Sequence, residues 1–285
     1  MARLFFLLSR WPLAVLHLVG SLLGWLTYWL SPSYRRRMIA HTTAAGLSTW
    51  QRWQAVAHAG KMVGELPRLW GRPREQALGA SVQWRHPEAV EQALSEGRGL
   101  LLLTPHLGCF EVTAQAYAER FGQHKPITAL YRPAKQAWLA DMMRDSRNRP
   151  GMLTSPATLS GVRQMLRALK GGETVGLLPD QVPPEGQGEW APFFGQRAYT
   201  MTLAARLAQQ TGAVVLLIWG ERLPRGQGYV VRFQPLPEAL PGDAAAQAES
   251  AAVVNRAMEH LIRQCPQQYL WGYHRYKAPR ASSSE

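Results

Sequence analysis

The chain has 285 residues, enough for one large domain or two small ones. Its hydrophobic fraction of 46% is ordinary for a globular protein and allows a substantial core. The formal net charge of +13 points to anionic partners (phospholipid, nucleic acid or an acidic carrier protein), and the two cysteines, Cys109 and Cys265, have no metal-ligand spacing, which excludes a cysteine-based metal cluster and reads as free thiols of a reducing compartment.

Residues 1–32 are expected to form a membrane anchor. No formal charge falls between Trp11 and Leu30, Trp11, Trp25, Tyr28 and Trp29 stand near the two ends, and Arg35–Arg37 follow at once. No small-x-small site precedes the basic run, against a cleaved signal peptide. Pro12 and His17 interrupt a plain span, so the segment either crosses the bilayer or lies in its interface. The basic residues on its flanks favour the cytoplasmic side for the main domain. Ser33–Trp70 reads as helix, with Trp50, Trp53 and Trp70 forming either a core stripe or a membrane-facing surface.

From there the pattern alternates as in an α/β fold. The expected elements are a strand over Ser81–Trp84, a helix over Pro87–Glu96, a buried strand over Leu100–Thr104 and a helix over Cys109–Phe121. There follow a strand over Ile127–Tyr131, helices over Lys135–Arg149 and Pro156–Lys170, and a strand over Thr174–Pro179. A Pro- and Gly-rich loop over Val182–Ala198 leads to a helix over Tyr199–Gln210, strands over Ala213–Gly220 and Tyr229–Gln234, and a last helix over Ala244–Gln264. The aromatic and basic stretch Gln268–Lys277 reads as packing near the membrane. No nucleic-acid motif accompanies it.

The centre of this plan is GLLLLTPHLGCFEV, from Gly99 to Val112. His106 sits where a strand gives way to a helix, and Glu111 follows five residues later. Five residues of regular helix turn through about 500°, roughly 140° off the starting face, so the two meet only if His106 lies in the turn and Glu111 in the first helical turn. Glu111 would then fix one ring nitrogen and leave the other as a base. The other reading is a helix-capping histidine with a dipole-favoured glutamate. Arg132 and Asp180–Gln181 also stand at expected strand ends. If the strands are parallel, His106, Arg132 and Asp180 converge on one sheet edge, where α/β folds bind ligands. Cys109, three residues after His106, is either a thioester-forming nucleophile or a small buried residue.

His-x-x-x-x-Asp/Glu after an apolar strand resembles the glycerolipid-type acyltransferase superfamily. With LYRPAK at Leu130–Lys135, LLPDQ at Leu177–Gln181, APFFG at Ala191–Gly195 and QYLWGYHRYK at Gln268–Lys277, the chain resembles more specifically the bacterial lipid A late acyltransferases of the lauroyl/myristoyl type. The resemblance implies a single α/β acyltransferase domain over 33–278, with a mostly parallel central sheet flanked by helices, after the hydrophobic membrane helix; by their own composition residues 279–285 read as a flexible tail. It implies transfer of a fatty acyl chain from an acyl-carrier-protein thioester to a hydroxyl of a lipid A precursor, at the cytoplasmic side of the inner membrane. His106 and Glu111 would be catalytic, with Arg132, Asp180, Gln181 and Arg149 binding substrate and the backbone of Gly108 and Cys109 holding the oxyanion. No metal, no other cofactor and no nucleic acid is expected. Another lipid acceptor, or a non-catalytic basic membrane-binding protein, are the competing readings. No G-x-S-x-G elbow supports a hydrolase.

Overall fold

The computed structural model describes residues 2–131, 134 and 136–281. Its first elements are helices: α1 (Ala2–Leu8), α2 (Leu13–Leu30), α3 (Pro32–Ala44), α4 (Thr49–Gly64) and α5 (Leu66–Trp70). The expected single helix over Ser33–Trp70 is therefore three. Gly46 takes a left-handed φ of +75°, and Ser48 with Gln51 forms a capping box that restarts the helix.

The α/β part then runs β1 (Val82–Arg85), α6 (Glu88–Ser95), β2 (Leu100–Leu103), α7 (Phe110–Phe121), β3 (Ile127–Tyr131), α8 (Ala137–Arg147), β4 (Met152–Pro156), α9 (Leu159–Lys170) and β5 (Thr174–Leu177). It continues with β6 (Gly188–Phe193), β7 (Gln196–Met201), α10 (Leu203–Thr211), β8 (Val214–Arg222), β9 (Tyr229–Pro235) and α11 (Gln247–Gln264). The main sheet has seven strands in the order β1-β9-β8-β2-β5-β3-β4. Neighbouring strands from β8 through β4 pair in parallel, and β9 turns antiparallel to β8.

All four leucines of β2 are buried. A central parallel strand is covered on both faces and so reads as a continuous apolar run. Leu101 and Leu103 pack with α9, α10 and α11 on one face, Leu100 and Leu102 with α6 and α7 on the other. The strand β4 lies just ahead of the expected helix Pro156–Lys170 and takes its first residue, and Thr158 caps the helix that follows. The expected loop over 182–198 is largely the hairpin β6–β7, separate from the main sheet. Phe194 and Gly195 both have positive φ between the paired residues Phe193 and Gln196, the geometry a two-residue hairpin turn requires. That hairpin also takes the start of the expected helix Tyr199–Gln210. In the tail, the Arg280 carbonyl accepts from the Glu185 N–H. Residues 282–285 lie outside the described part.

The apolar helix α2 does not stand alone. It packs antiparallel along α4, with Gly20 and Gly24 against Gly60, so close that a methyl group at Gly60 would collide with the Gly20 carbonyl. Tyr269 and Trp271 of the aromatic tail are buried in the main core beside Phe193 and Phe194.

Candidate active site

Parallel pairing in register fixes the centre of the site. Leu103 of β2 lies opposite Leu177 of β5. His106 and Asp180 each follow three residues beyond those partners, so the two loops leave the sheet side by side. Asp180 Oδ2 accepts from the His106 backbone N–H at 2.9 Å, and Oδ1 lies 2.8 Å from ring Nδ1. With Nδ1 carrying its proton toward Asp180, Nε2 presents a lone pair, and the Gln181 amide nitrogen lies 3.0 Å from it. The His106 carbonyl accepts from the Leu270 N–H at 3.1 Å. The loop is thus held at ring and backbone alike. Asp180 is 2% exposed. Burial alone would push its carboxyl up, but the imidazole, the hydrogen bonds from His106 and the charge of Arg275 hold it below the usual carboxylate range.

Glu111 is not the group that holds the ring, contrary to the expectation from the five-residue spacing. The Phe110 ring packs on the imidazole, centroids 4.7 Å apart, and Glu111 is turned about 100° further round the first turn of α7. Its carboxylate is engaged by the Arg147 guanidinium, with Arg147 Nε 3.3 Å from Oε2, and accepts from Trp70 Nε1 at 3.2 Å. Glu111 and Arg147 border a small cavity of ≈60 Å³. Its other walls are largely apolar, among them Leu102, Ala129, Leu177 and Ile218. Phe110 lines this cavity, and its ring also packs on the His106 imidazole.

The expected oxyanion donors are already in use. Gly108 N–H donates to the Gln268 carbonyl at 3.0 Å, and Cys109 N–H donates to the Gly220 carbonyl at 2.8 Å. Gly108 has a φ of +58°, and any side chain there would meet the Gly220 carbonyl. Tight docking of this loop on β8 consumes the N–H groups that a looser helix start would have left open. The Cys109 side chain is buried, and burial raises its thiol well above the ordinary value, so it stays protonated and packs as a small core residue.

Arg149 is not placed to bind substrate. Its guanidinium donates to the carbonyls of Leu69, Arg72 and Pro73 near the end of α5, and its Nε to Ser146. Burial, with Arg72 and Arg74 nearby, lowers its pKa to about 10. Arg132 lies outside the described residues.

Three side chains that the sequence did not single out support the site. Arg147 is the partner of Glu111. Arg222 Nη2 donates to the Gly108 carbonyl at 2.9 Å, while Arg222 also forms a buried ion pair with Glu65, Nη2 to Oε1 at 2.6 Å. His17 of α2 and Tyr229 also reach that carboxylate, at 3.2 and 3.3 Å. The network joins α2, the α4–α5 junction, β8, β9 and the His106 loop. Glu65 and Arg222 are 157 residues apart in sequence, and no local spacing signals such a pair.

Residues 52–278 match the model of the family described as bacterial lipid A biosynthesis acyltransferase. The chain is 30% identical over 194 residues to the lipid A biosynthesis lauroyltransferase of Escherichia coli K12, covering 67% of this chain and 60% of that protein. It is 28% identical over 191 residues to the lipid A biosynthesis palmitoleoyltransferase of the same organism, covering 66% and 59%. A lipid A biosynthesis acyltransferase of Haemophilus influenzae is 25% identical over 184 residues, covering 65% and 55%. The match thus spans about 60% of the length of the first two relatives. A family match over most of the chain, on a fold that seats His106 at the mouth of a parallel sheet, leads to one assignment: the chain belongs to the bacterial lipid A biosynthesis acyltransferase family.

Proposed function

We propose that the protein transfers a fatty acyl chain from an acyl-carrier-protein thioester to a hydroxyl group of a lipid A precursor, at the cytoplasmic face of the inner membrane. The observation that carries this reading is the pairing of His106 Nδ1 with buried Asp180 at 2.8 Å, which leaves Nε2 facing the Gln181 side-chain amide rather than a backbone group. The acceptor hydroxyl displaces Gln181 and gives its proton to Nε2. Its oxygen attacks the thioester carbonyl; a carbon–oxygen bond forms and the carbon–sulfur bond breaks. The imidazolium, stabilised by the Asp180 carboxylate, returns the proton to the departing thiolate. General-base help of this kind contributes roughly 10²–10⁴-fold.

The cavity lined by Phe110 is the proposed entrance for the acyl chain. As it stands, at ≈60 Å³, it is too small for a fatty chain, which enters by moving the side chains around it. Glu111 and Arg147 supply a neutralised ion pair at its rim, and in this reading Glu111 acts on the acyl donor rather than on the ring. Arg132 is proposed to bind a phosphate of the acceptor or the carrier's phosphopantetheine arm. The net charge of +13 suits an acidic carrier and an anionic lipid.

The test supplies labelled acyl-carrier thioester with a panel of acceptors: a lipid A precursor, a lysophospholipid and a glycosylated phosphatidylinositol. Transfer to the lipid A precursor by the parent, and its loss in His106→Ala with the melting temperature retained, supports the reading. Transfer only to another lipid replaces the acceptor, and transfer to none overturns the enzyme reading.

A further inference from the structure

Helix α2 is about 27 Å long at 1.5 Å per residue, long enough to cross the hydrocarbon of a bilayer. Its packing tells against that use. Leu13, Leu16, His17, Gly20, Gly24 and Tyr28 are buried, so one flank is covered from end to end. Leu13 belongs to the core cluster that holds Leu69, Val82 and Tyr229, and Tyr28 to the one that holds Met38 and Trp271. In its second turn, His17 bonds Glu65, itself paired with Arg222. Near the start, Gly226 of the β8–β9 turn sits against the backbone of Ala14. To stand upright in a bilayer, α2 would have to take with it α4, which carries Arg52, Gln54, His58 and Lys61 only partly covered, as well as the polar turn after β8. Irregular backbone and charge of that kind are not tolerated facing lipid.

The other flank is apolar and open. Leu18, Leu22 and Leu26, at four-residue spacing, are all more than half exposed, and Trp29 follows at 63%. Trp50 at 65% and Trp53 at 47%, on the end of antiparallel α4 that adjoins Trp29, enlarge the patch with the ring type that favours the headgroup boundary. Exposed Arg10 precedes α2 and exposed Arg36 follows it, so both ends are basic. Cations at both ends suit a helix whose two ends meet the same anionic surface.

We propose that α2 does not cross the bilayer: it lies in the membrane plane, with its Leu18–Leu22–Leu26–Trp29 stripe and Trp50 and Trp53 in one leaflet of anionic phospholipid. The membrane then forms an outer wall of the domain, and α2 is a floor rather than a tether. This inference does not rest on acyl transfer and stands or falls separately.

The full chain, added to preformed vesicles of phosphatidylcholine and phosphatidylglycerol, tests it. Single cysteines at Trp11, Val15, Leu18, Leu22, Leu26 and Leu30 carry nitroxide labels, and the parent treated with the same label controls for Cys109 and Cys265. The expected result is a common shallow depth for positions 18, 22 and 26, with labels at Trp11 and Leu30 both reached by a water-soluble relaxing agent added outside. A depth that runs from one leaflet through the midplane to the other, or ends that report opposite sides, overturns the proposal. The variant L18N/L22N/L26N changes only exposed positions. It is expected to keep its melting temperature and to partition onto the vesicles at least tenfold more weakly. Unchanged partitioning overturns the proposal, as does a lipid-independent dimer that the triple substitution dissolves, since the patch would then serve a second copy. Should the triple variant aggregate, the label depths decide.

Discussion

Asp180 reaches across from the strand next to His106 and takes both of its nearest protons, the backbone N–H at 2.9 Å and the ring Nδ1 at 2.8 Å. A neutral amide cannot do both, because one face of an asparagine is a donor. Asp180→Asn is therefore expected to lower kcat/KM for acyl transfer by about a hundredfold or more. Glu111→Gln separates the two carboxylates. In ring-nitrogen NMR of His106, the protonated Nδ1 signal is expected to persist in Glu111→Gln and to change in Asp180→Asn. The reverse pattern would return Glu111 to the role the spacing assigned it.

The Glu65–Arg222 pair, each side chain 1% exposed, fixes the loop after His106 through the Gly108 carbonyl. Removing one member leaves a buried charge without its partner. Arg222→Met is expected to cost about 3–5 kcal/mol of stability, read as a drop in melting temperature. The double variant Glu65→Leu/Arg222→Met is expected to recover much of that stability. Activity should stay low, because Gly108 still lacks its donor.

Acid should loosen the protein well above the carboxylate range. His58 accepts from Arg222 Nη1 at 3.2 Å and is held neutral, its pKa lowered from 6.5 to about 2 by burial and by the charges of Arg222, Lys61 and His17. The unfolded chain takes up that proton near its ordinary pKa, so this contribution is complete above 6.5 and is lost progressively toward 2. The slope for one proton is at most roughly 1.4 kcal/mol per pH unit. Glu65 and Asp180, whose pKa values are lowered, add a further loss below the usual carboxylate range. A melting temperature level from pH 7 to 8 and falling below 6.5 is expected. His58→Gln should flatten the fall between 4.5 and 6.5, with a residual slope from His41, whose pKa burial also lowers.

Arg149→Met is expected to unfold at lower temperature, since it removes the cation that gathers the carbonyls of Leu69, Arg72 and Pro73. The KM of the enzyme that remains folded should be unchanged. A raised KM with an unchanged melting temperature would restore Arg149 to substrate binding.

The sheet was legible in the sequence because its centre is four leucines between turn residues, and because α/β alternation needs no knowledge of partners. The convergence of His106 and Asp180 was legible for the same reason: both stand just past strands that a parallel sheet aligns. The choice between Asp180 and Glu111 was not. It depends on strand register, Leu103 opposite Leu177, and on the docking of Gly108 against β8, which are contacts between distant segments. The roles of Arg149, Arg147 and Arg222 were hidden likewise, since a guanidinium's partners are set by which backbone folds against it. The breaks around Gly46–Ser48 and Phe194–Gly195 did carry local signals, a capping box and a positive-φ turn, on which the helix and loop expectations did not draw.

The central claim is that His106 Nε2 removes the acceptor proton. Single-turnover transfer from a labelled acyl-carrier thioester to a lipid A precursor, in vesicles, by folded His106→Ala and by the parent tests it most directly. The account predicts a loss of roughly 10²–10⁴-fold. A rate in His106→Ala within a few-fold of the parent, at an unchanged melting temperature, would contradict it.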